Sequence, residues 1–446
     1  VVHIAFLTLF LGLASGVQPF ELSVAGRAAT VEIVLDGTVA QRLAGPPWKG
    51  KIDFGADLAP HELVARALDA EGREVALTRQ WINLPRPPAE VELALEEGRS
   101  GAPGRVRLTW ERLTHDPPIA SSLTLDGKPL QLDRNGGAAL PSYDRDSTHV
   151  LTAELRFPSN IVARKDMIFG GEGGETYTEL TAVPVRLLKG RLPKPEALRG
   201  WFVDGKGEPL NVTAVENGPG ELYVVRVPST DYVKNQLSVN SGLAALRMSG
   251  LTLGKEDLIR MVSPWSRSYQ GGIGGTARSD LFDLSPHSPS KYGLTAHLFN
   301  SYFKRDGSET LRPADAVAVA GLHAMAGGRR RAVVLVLDAV SGDESLYDPV
   351  TVRRYLSSIR VPLYVWSLDR DISSMKAWGE VQDTWSAVGL ELAFRKAAVD
   401  LERQRIVLIE GRHLPQAIRL SPKAAGIEIV TAGDAPAPMQ GKTGER

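Results

Sequence analysis

The residues with the most chemical potential follow an apolar run. Residues 332–337 read AVVLVL, and Asp338, Asp343 and Glu344 come within one short loop after it. Carboxylates there suit two jobs: a metal or ligand site at the carboxyl edge of an α/β sheet, or helix capping in a solvated loop. Ser229 follows another apolar run, ELYVVRV (221–227), as a strand-end nucleophile would, with His297, His323 or His413 as candidate bases. The Gly-x-Ser-x-Gly pentapeptide of a sharp strand-to-helix turn is missing, so the sequence offers hydrolysis little support. Eight histidines show no His-Glu-x-x-His spacing for zinc. GGIGG (271–275) lacks the Lys-Ser/Thr of a phosphate-binding loop and reads as a hairpin tip. Arg329, Arg330 and Arg331 read as a solvated basic loop before a buried strand.

Bulk composition narrows the field further. With 52 Lys+Arg against 52 Asp+Glu, no field of one sign draws in nucleic acid or an anionic membrane, so contacts with a protein partner must be specific. Cysteine is absent, which excludes disulfides, thiolate nucleophiles and iron–sulfur ligation. A chain of 446 residues is expected to hold two to four domains. Residues 4–14 (IAFLTLFLGLA), followed by Ser15-Gly16, have the length of a secretory signal; a cleaved signal over 1–16 is expected, with a membrane anchor or a first strand as the competing readings. No segment reaches the ~18 apolar residues of a stable membrane span.

The elements that must position these residues fall into two periods. From 17 to 169 the pattern alternates, with Val31, Ile33 and Leu35 before the turn Asp36-Gly37, then Trp48, Ile52 and Phe54, then Leu63, Ala65 and Ala67. The layout recurs: Leu35-Asp36-Gly37 is matched by Leu125-Asp126-Gly127, and His61, Leu63 and Ala65 by His149, Leu151 and Ala153. Two sandwich modules, 17–86 and 87–174, are therefore expected, ending at the joints PRPP (85–88) and GGEGG (170–174). Residues 175–220 read as a hairpin or linker. Compact apolar runs at 221–227, 258–262, 332–337, 361–368 and 406–409 then predict strands buried on both faces, within an α/β domain over 221–432. Asp348-Pro349 opens one helix between them, 315–326 makes another ending at Gly327-Gly328, and 387–404 a third. The tail, 433–446, is expected to be disordered.

Residues 329–367 (RRRAVVLVLDAVSGDESLYDPVTVRRYLSSIRVPLYVWS) resemble the later strand–helix–strand portion of von Willebrand factor type A (vWA) domains, and Ala314 to Ala320 resembles the preceding helix. The modules before them, with LDG, Pro-Pro-Trp and His-x-Leu, are similar to the Ig-like repeats that accompany such domains. The resemblance implies two all-β Ig-like sandwiches followed by a doubly wound, mostly parallel α/β sheet. It also implies a metal-ion-dependent adhesion site at the carboxyl edge, built from Asp-x-Ser-x-Ser, a loop Thr and a later Asp around Mg²⁺. Here the first motif is Val227-Pro228-Ser229-Thr230-Asp231, Thr310 stands one residue further from Asp315 than the family spacing, and Asp338 holds the last position. Ser229, Asp231, Thr310 and Asp338 are thus the candidate ligand-binding residues of a degenerate site. The expected protein is an exported, non-enzymatic interaction or adhesion scaffold, secreted, periplasmic or in the envelope. A Mg²⁺- or Mn²⁺-dependent adhesin and a hydrolase working at the sheet's carboxyl edge are the alternatives.

Overall fold

Alternation between inward and outward side chains builds two sheets at the amino end. One is β1 (His3–Phe6), β2 (Val17–Ala25) and β5 (Lys49–Asp53); the other is β4 (Thr38–Leu43), β3 (Thr30–Leu35), β6 (His61–Leu68) and β7 (Glu74–Ile82) in that order. Phe20, Leu22 and Ile52 from the first sheet meet Val31, Ile33, Leu63, Ala65 and Ile82 from the second in one dry cluster. The computed structural model of the chain describes residues 2–8, 10, 12–85, 89–97, 103–112, 117–133, 136–144, 147, 149–157, 161–169, 176–177, 180–227, 253–270, 278–286, 288–289, 310–338, 343–369 and 373–431.

The apolar segment expected to be a signal is built into this sandwich. β1 pairs with β2 from His3↔Ala25 to Phe6↔Leu22, and Phe6 and Ala14 are core residues. Asn83 fixes the segment, accepting from Ala14 N at 2.7 Å and donating to Ala14 O at 2.8 Å. Its apolarity therefore has a structural reason: it fills the space a first strand must fill.

The sequence repeat is a repeat of topology. In the second module β8 (Ala89–Glu97), β9 (Pro103–Arg112) and β12 (Gly137–Ala139) form one sheet. The other sheet runs β11 (Lys128–Pro129), β10 (Ala120–Leu125), β13 (His149–Phe157), β14 (Ile161–Phe169) and β15 (Thr176–Tyr177). Counted within each module, both have strand orders 1-2-5 and 4-3-6-7, the second adding β15. Leu35 faces Leu63 in one as Leu125 faces Leu151 in the other. Asp36 and Asp126 both take φ of 49°, followed by Gly37 and Gly127 at 81° and 76°, the backbone that a two-residue hairpin turn requires.

Residues after the second module return to pair with the end of the chain. β16 (Leu180–Leu187), β18 (Val212–Glu216), β27 (Gln404–Glu410) and β29 (Ile427–Ile429) form a sheet of order β18-β27-β16-β29, beside the short pair β17 (Phe202–Val203) and β28 (Arg419–Leu420). Val183, Val185, Phe202, Val407, Ile409 and Ile418 make its core. The apolar run 406–409, expected in the parallel sheet, belongs here: it pairs antiparallel with β18.

The mixed sheet has the order β21 (Arg278–Leu284), β20 (Leu258–Gln270), β19 (Gly220–Arg226), β24 (Arg330–Leu337), β25 (Leu363–Ser367), β26 (Val381–Asp383), with β22 (Ser288–Pro289) and β23 (Thr310–Leu311) also on β20. β20, β19, β24, β25 and β26 run parallel, and β21 to β23 pair antiparallel. Helices cover both faces. Tyr223, Val225, Val333 and Leu335 face α1 (Pro313–Ala326) and α2 (Pro349–Ser358); Leu222, Val224, Ala332, Val334 and Val336 face α3 (Ala387–Arg403) through Leu390, Phe394 and Ala397. Leu392 of α3 lies away from this contact and is 63% exposed. Asp348 caps α2, accepting from Val350 N and Thr351 N. Among the described residues no helix is long and apolar enough to cross a membrane.

The first sandwich and the α/β layer share a core. Leu58 lies in the same cluster as Val352, Tyr355 and Leu356 of α2, and Tyr355 Oη donates to Asn83 O at 3.0 Å.

Candidate functional site

β19 and β24 end side by side at the carboxyl edge. Val227 N donates to Val336 O at 2.9 Å, and Asp338, one residue past β24, is 1% exposed. On β20, Val262 pairs with Leu284 on one side and Val225 on the other, while Ser266 pairs with Phe282 and Thr310. β23 therefore occupies the row that β19 vacates, and half-buried Thr310 lies beyond the end of β19. Thr310 and Asp338 thus belong to one edge. Ser229 and Asp231 lie outside the described residues, as do the GGIGG segment, residues 86–88 of the first expected joint, the second joint and the tail.

The loop into α2 is held at this edge by a carboxylate that sequence reading passed over. Asp315, 3% exposed in the first turn of α1, accepts from Arg312 Nε at 2.6 Å, Leu346 N at 2.9 Å and Tyr347 N at 3.1 Å. Ser345 Oγ accepts from Ala314 N, Asp343 caps Ser345 N, and Glu344 N donates to Leu311 O. Asp343 and Asp348 thus do capping work, and Asp343, Glu344 and Leu346 stand in solvent on a tied backbone, Leu346 71% exposed. The Arg312-x-x-Asp315 spacing before a helix was the signal available in the sequence.

A divalent ion held as the resemblance implies does not fit these residues. Val227, where the first carboxylate would stand, is 1% exposed in the apolar cluster with Tyr223 and Val225, and offers no side-chain oxygen. Burial holds the Arg226 guanidinium below its usual value, and the charge of Asp338 acts against that shift.

The histidine that described residues place on α1 is at the other edge. His323 sits in the last turn of α1, where its carbonyl accepts from Tyr223 Oη at 3.4 Å, and burial pushes its ring down to about 4 with Arg260 adding to the effect. The three arginines read as a solvated loop are also structural. Arg329 binds Glu221 at 2.8 Å and Arg330 binds Asp257 at 2.9 Å. Arg331 is 1% exposed, reaching Ile359 O and Arg360 O at the carboxyl end of α2, and burial pushes it down to about 10. A helix C-terminus facing a sheet needs donors for its last carbonyls, and at α2 Arg331 supplies them.

No protein-family model matches the chain, and no curated protein matches it. Among solved structures, proximal thread matrix protein 1 from the mussel byssus, with zinc in its MIDAS motif, aligns at 13% identity over 44% of this chain and 48% of that one, TM-score 0.28. The fibronectin(III)-like modules of Clostridium thermocellum CbhA align at 12% identity over 38% of this chain and 94% of theirs, TM-score 0.16. Human COPII-coat protein Sec24c aligns at 7% identity over 44% and 40%, TM-score 0.26. The chain thus spans about half the length of the mussel protein. These scores are low. The fold rests on the chain's own strand pairings: small antiparallel sheets of sandwich type, and a larger mixed sheet packed against helices.

Proposed function

We propose that this chain is a non-catalytic protein-interaction scaffold of Ig-like sandwiches and a vWA-like domain, and that partners are met by loops at the carboxyl edge of the mixed sheet. The loops concerned follow β19 (Ser229, Asp231), precede α1 (Thr310) and follow β24 (Asp338 to Glu344). The compartment is a separate matter, because the 4–14 run that suggested export has a role in the first sandwich core.

The observation that carries the reading is the clamp at Asp315. It holds the backbone of Leu346 while the leucine side chain stays in solvent, with Asp343 and Glu344 exposed nearby. An apolar side chain on a pre-ordered backbone costs little further entropy when a partner covers it, which is how binding anchors gain affinity. The fitting partner surface has an apolar hollow flanked by basic groups.

Capture by the immobilised full chain from extracts of the producing cells tests the reading. Leu346→Asp and Glu344→Lys, both in solvent, should each lower recovery of a captured protein about tenfold, in line with losses of 1–2 kcal/mol at binding anchors. Capture of the same proteins at the same level by both variants would remove the loop from the interface.

A further inference from the structure

Two sheets leave strand edges open towards one cavity. On β25, Ser367 O accepts from Thr384 N on the β26 side, and Pro362 O accepts from Val333 N on the β24 side. Alternation therefore turns the amide and carbonyl of Leu363 towards the β26 side. β26 starts opposite Val365, so among the described residues no strand lies beside Leu363 there. β29 is the edge strand of its own sheet. Val430 N donates to Pro184 O and Gly426 O accepts from Leu188 N, which turns the backbone of Ile429 and Thr431 away from β16. Leu363, Ile429 and Thr431 line the same cavity of about 520 Å³, within the roughly 300–1,000 Å³ of ordinary ligand pockets.

The charges around this cavity leave one cation over. Lys396 binds Glu380 at 2.7 Å, and Arg186 binds both Asp400 and Glu428. Half-buried Arg353 of α2 also lines the cavity and has no hydrogen bond or ion pair among the described residues. Its guanidinium lies over Gly379, whose φ is 83° and whose missing side chain leaves it room, since a Cβ there would collide with it. We propose that the cavity is a peptide-binding slot, in which an extended segment of another protein pairs with the open edges of β25 and β29 and sets an acidic side chain on Arg353. Extended main chain suits unpaired strand edges, because each residue brings a donor and an acceptor at the spacing of the strand beside it. A carboxylate matches the planar fork of a guanidinium through two parallel hydrogen bonds. The slot lies at the amino half of β25, apart from the Leu346 loop, and does not depend on a partner at that loop.

Fluorescence polarisation of the full chain with labelled, end-blocked pentapeptides tests it, the peptides carrying mixed valine and threonine with glutamate, glutamine or lysine at each position in turn. Peptides with glutamate at one position should bind about tenfold tighter than their glutamine counterparts, because a charge-assisted hydrogen bond is the stronger kind. Arg353→Gln should abolish that preference. If that variant folds poorly, Arg353→Lys, which keeps the charge and loses the fork, should still cut the preference severalfold. Thr431→Pro removes an outward N–H without touching the bonds to β16, and should weaken every peptide about tenfold while the urea midpoint stays where it was. No binding at millimolar peptide, equal binding of the glutamate and glutamine series, a glutamate preference untouched in the Arg353 variant, or full binding by Thr431→Pro would each overturn the proposal.

Discussion

His149 Nδ1 lies 2.7 Å from Asp126 Oδ2, and the other ring nitrogen lies 2.7 Å from the carbonyl oxygen of Asp144. His61 repeats the arrangement in the first sandwich, 2.6 Å from Asp36 Oδ2 and 3.1 Å from Phe54 O. Both ring nitrogens of His149 face acceptors, and only the imidazolium has two N–H groups to give. The clasp ties the Asp-Gly turn of one hairpin to the strand beside it, aided by Glu62 N and Val150 N donating to the same aspartates.

This clasp makes the second module pH-dependent. The hydrogen bond that His149 donates to Asp126 raises the His149 pKa above 6.5, with the Asp144 carbonyl helping. A raised folded value means the folded chain holds the proton more tightly, so the stabilisation is complete below about 6.5 and is lost as pH climbs through the folded value. Asp126 is lowered from 3.8 by its bond to His149, so its share is present above that value and is lost as pH falls through the lowered one. Because Asp126 is 42% exposed at the side chain, the worth of the pair is discounted to about 1 kcal/mol. Hydrogen-exchange protection factors at β10 and β13, with the intrinsic base-catalysed rise in exchange divided out, should fall from pH 6 to pH 8.5, and His149→Gln should lose both that amount at pH 6 and the slope.

Asn83 joins three pieces of chain. It is 1% exposed, binds Ala14 and Ala59 through its side chain, and gives its carbonyl to Tyr355 Oη. Its φ of 57° suits asparagine better than alanine. Asn83→Ala strands buried groups at Ala14 and strains the backbone, so urea unfolding should show a loss of about 2–4 kcal/mol. A loss below about 0.5 kcal/mol would contradict the docking of 3–14 into the sandwich.

Gly321 should reverse the usual rule for helices. Glycine to alanine inside a helix normally gains about 1 kcal/mol. Here a Cβ would collide with Leu356 Cδ2, because α1 crosses α2 at this glycine. Gly321→Ala should therefore destabilise by about 1–3 kcal/mol in thermal or urea unfolding, as overpacking does.

The cap at Asp348 offers a milder test. Asp348→Ala removes the acceptor for Val350 N, Thr351 N and Thr351 Oγ1, and should cost about 1 kcal/mol. That helix start was legible because Asp-Pro has a local meaning. So was the repeat: Leu-Asp-Gly and His-x-Leu-x-Ala are close in sequence to the turn and strand they specify. Strand pairing across distance was not legible. Nothing near Ile409 or Val212 says that they are neighbours, and an apolar run reads the same in a parallel sheet as in the antiparallel one that holds it. The 4–14 run illustrates the same limit, since core strands and signals share a composition. At the site, Asp338 was legible as an acid after an apolar run and Thr310 through the resemblance, while the role of Asp315 was missed because Leu346 N and Tyr347 N are brought to it only by the fold.

A titration with Mg²⁺ and Mn²⁺ addresses the central claim most directly: the residues at the carboxyl edge do not make up a divalent-ion site. Isothermal calorimetry of the full chain at millimolar ion should give no heat above dilution, and the urea midpoint should stay where it was. Saturable heat with a one-to-one stoichiometry that disappears in Asp338→Asn would contradict it.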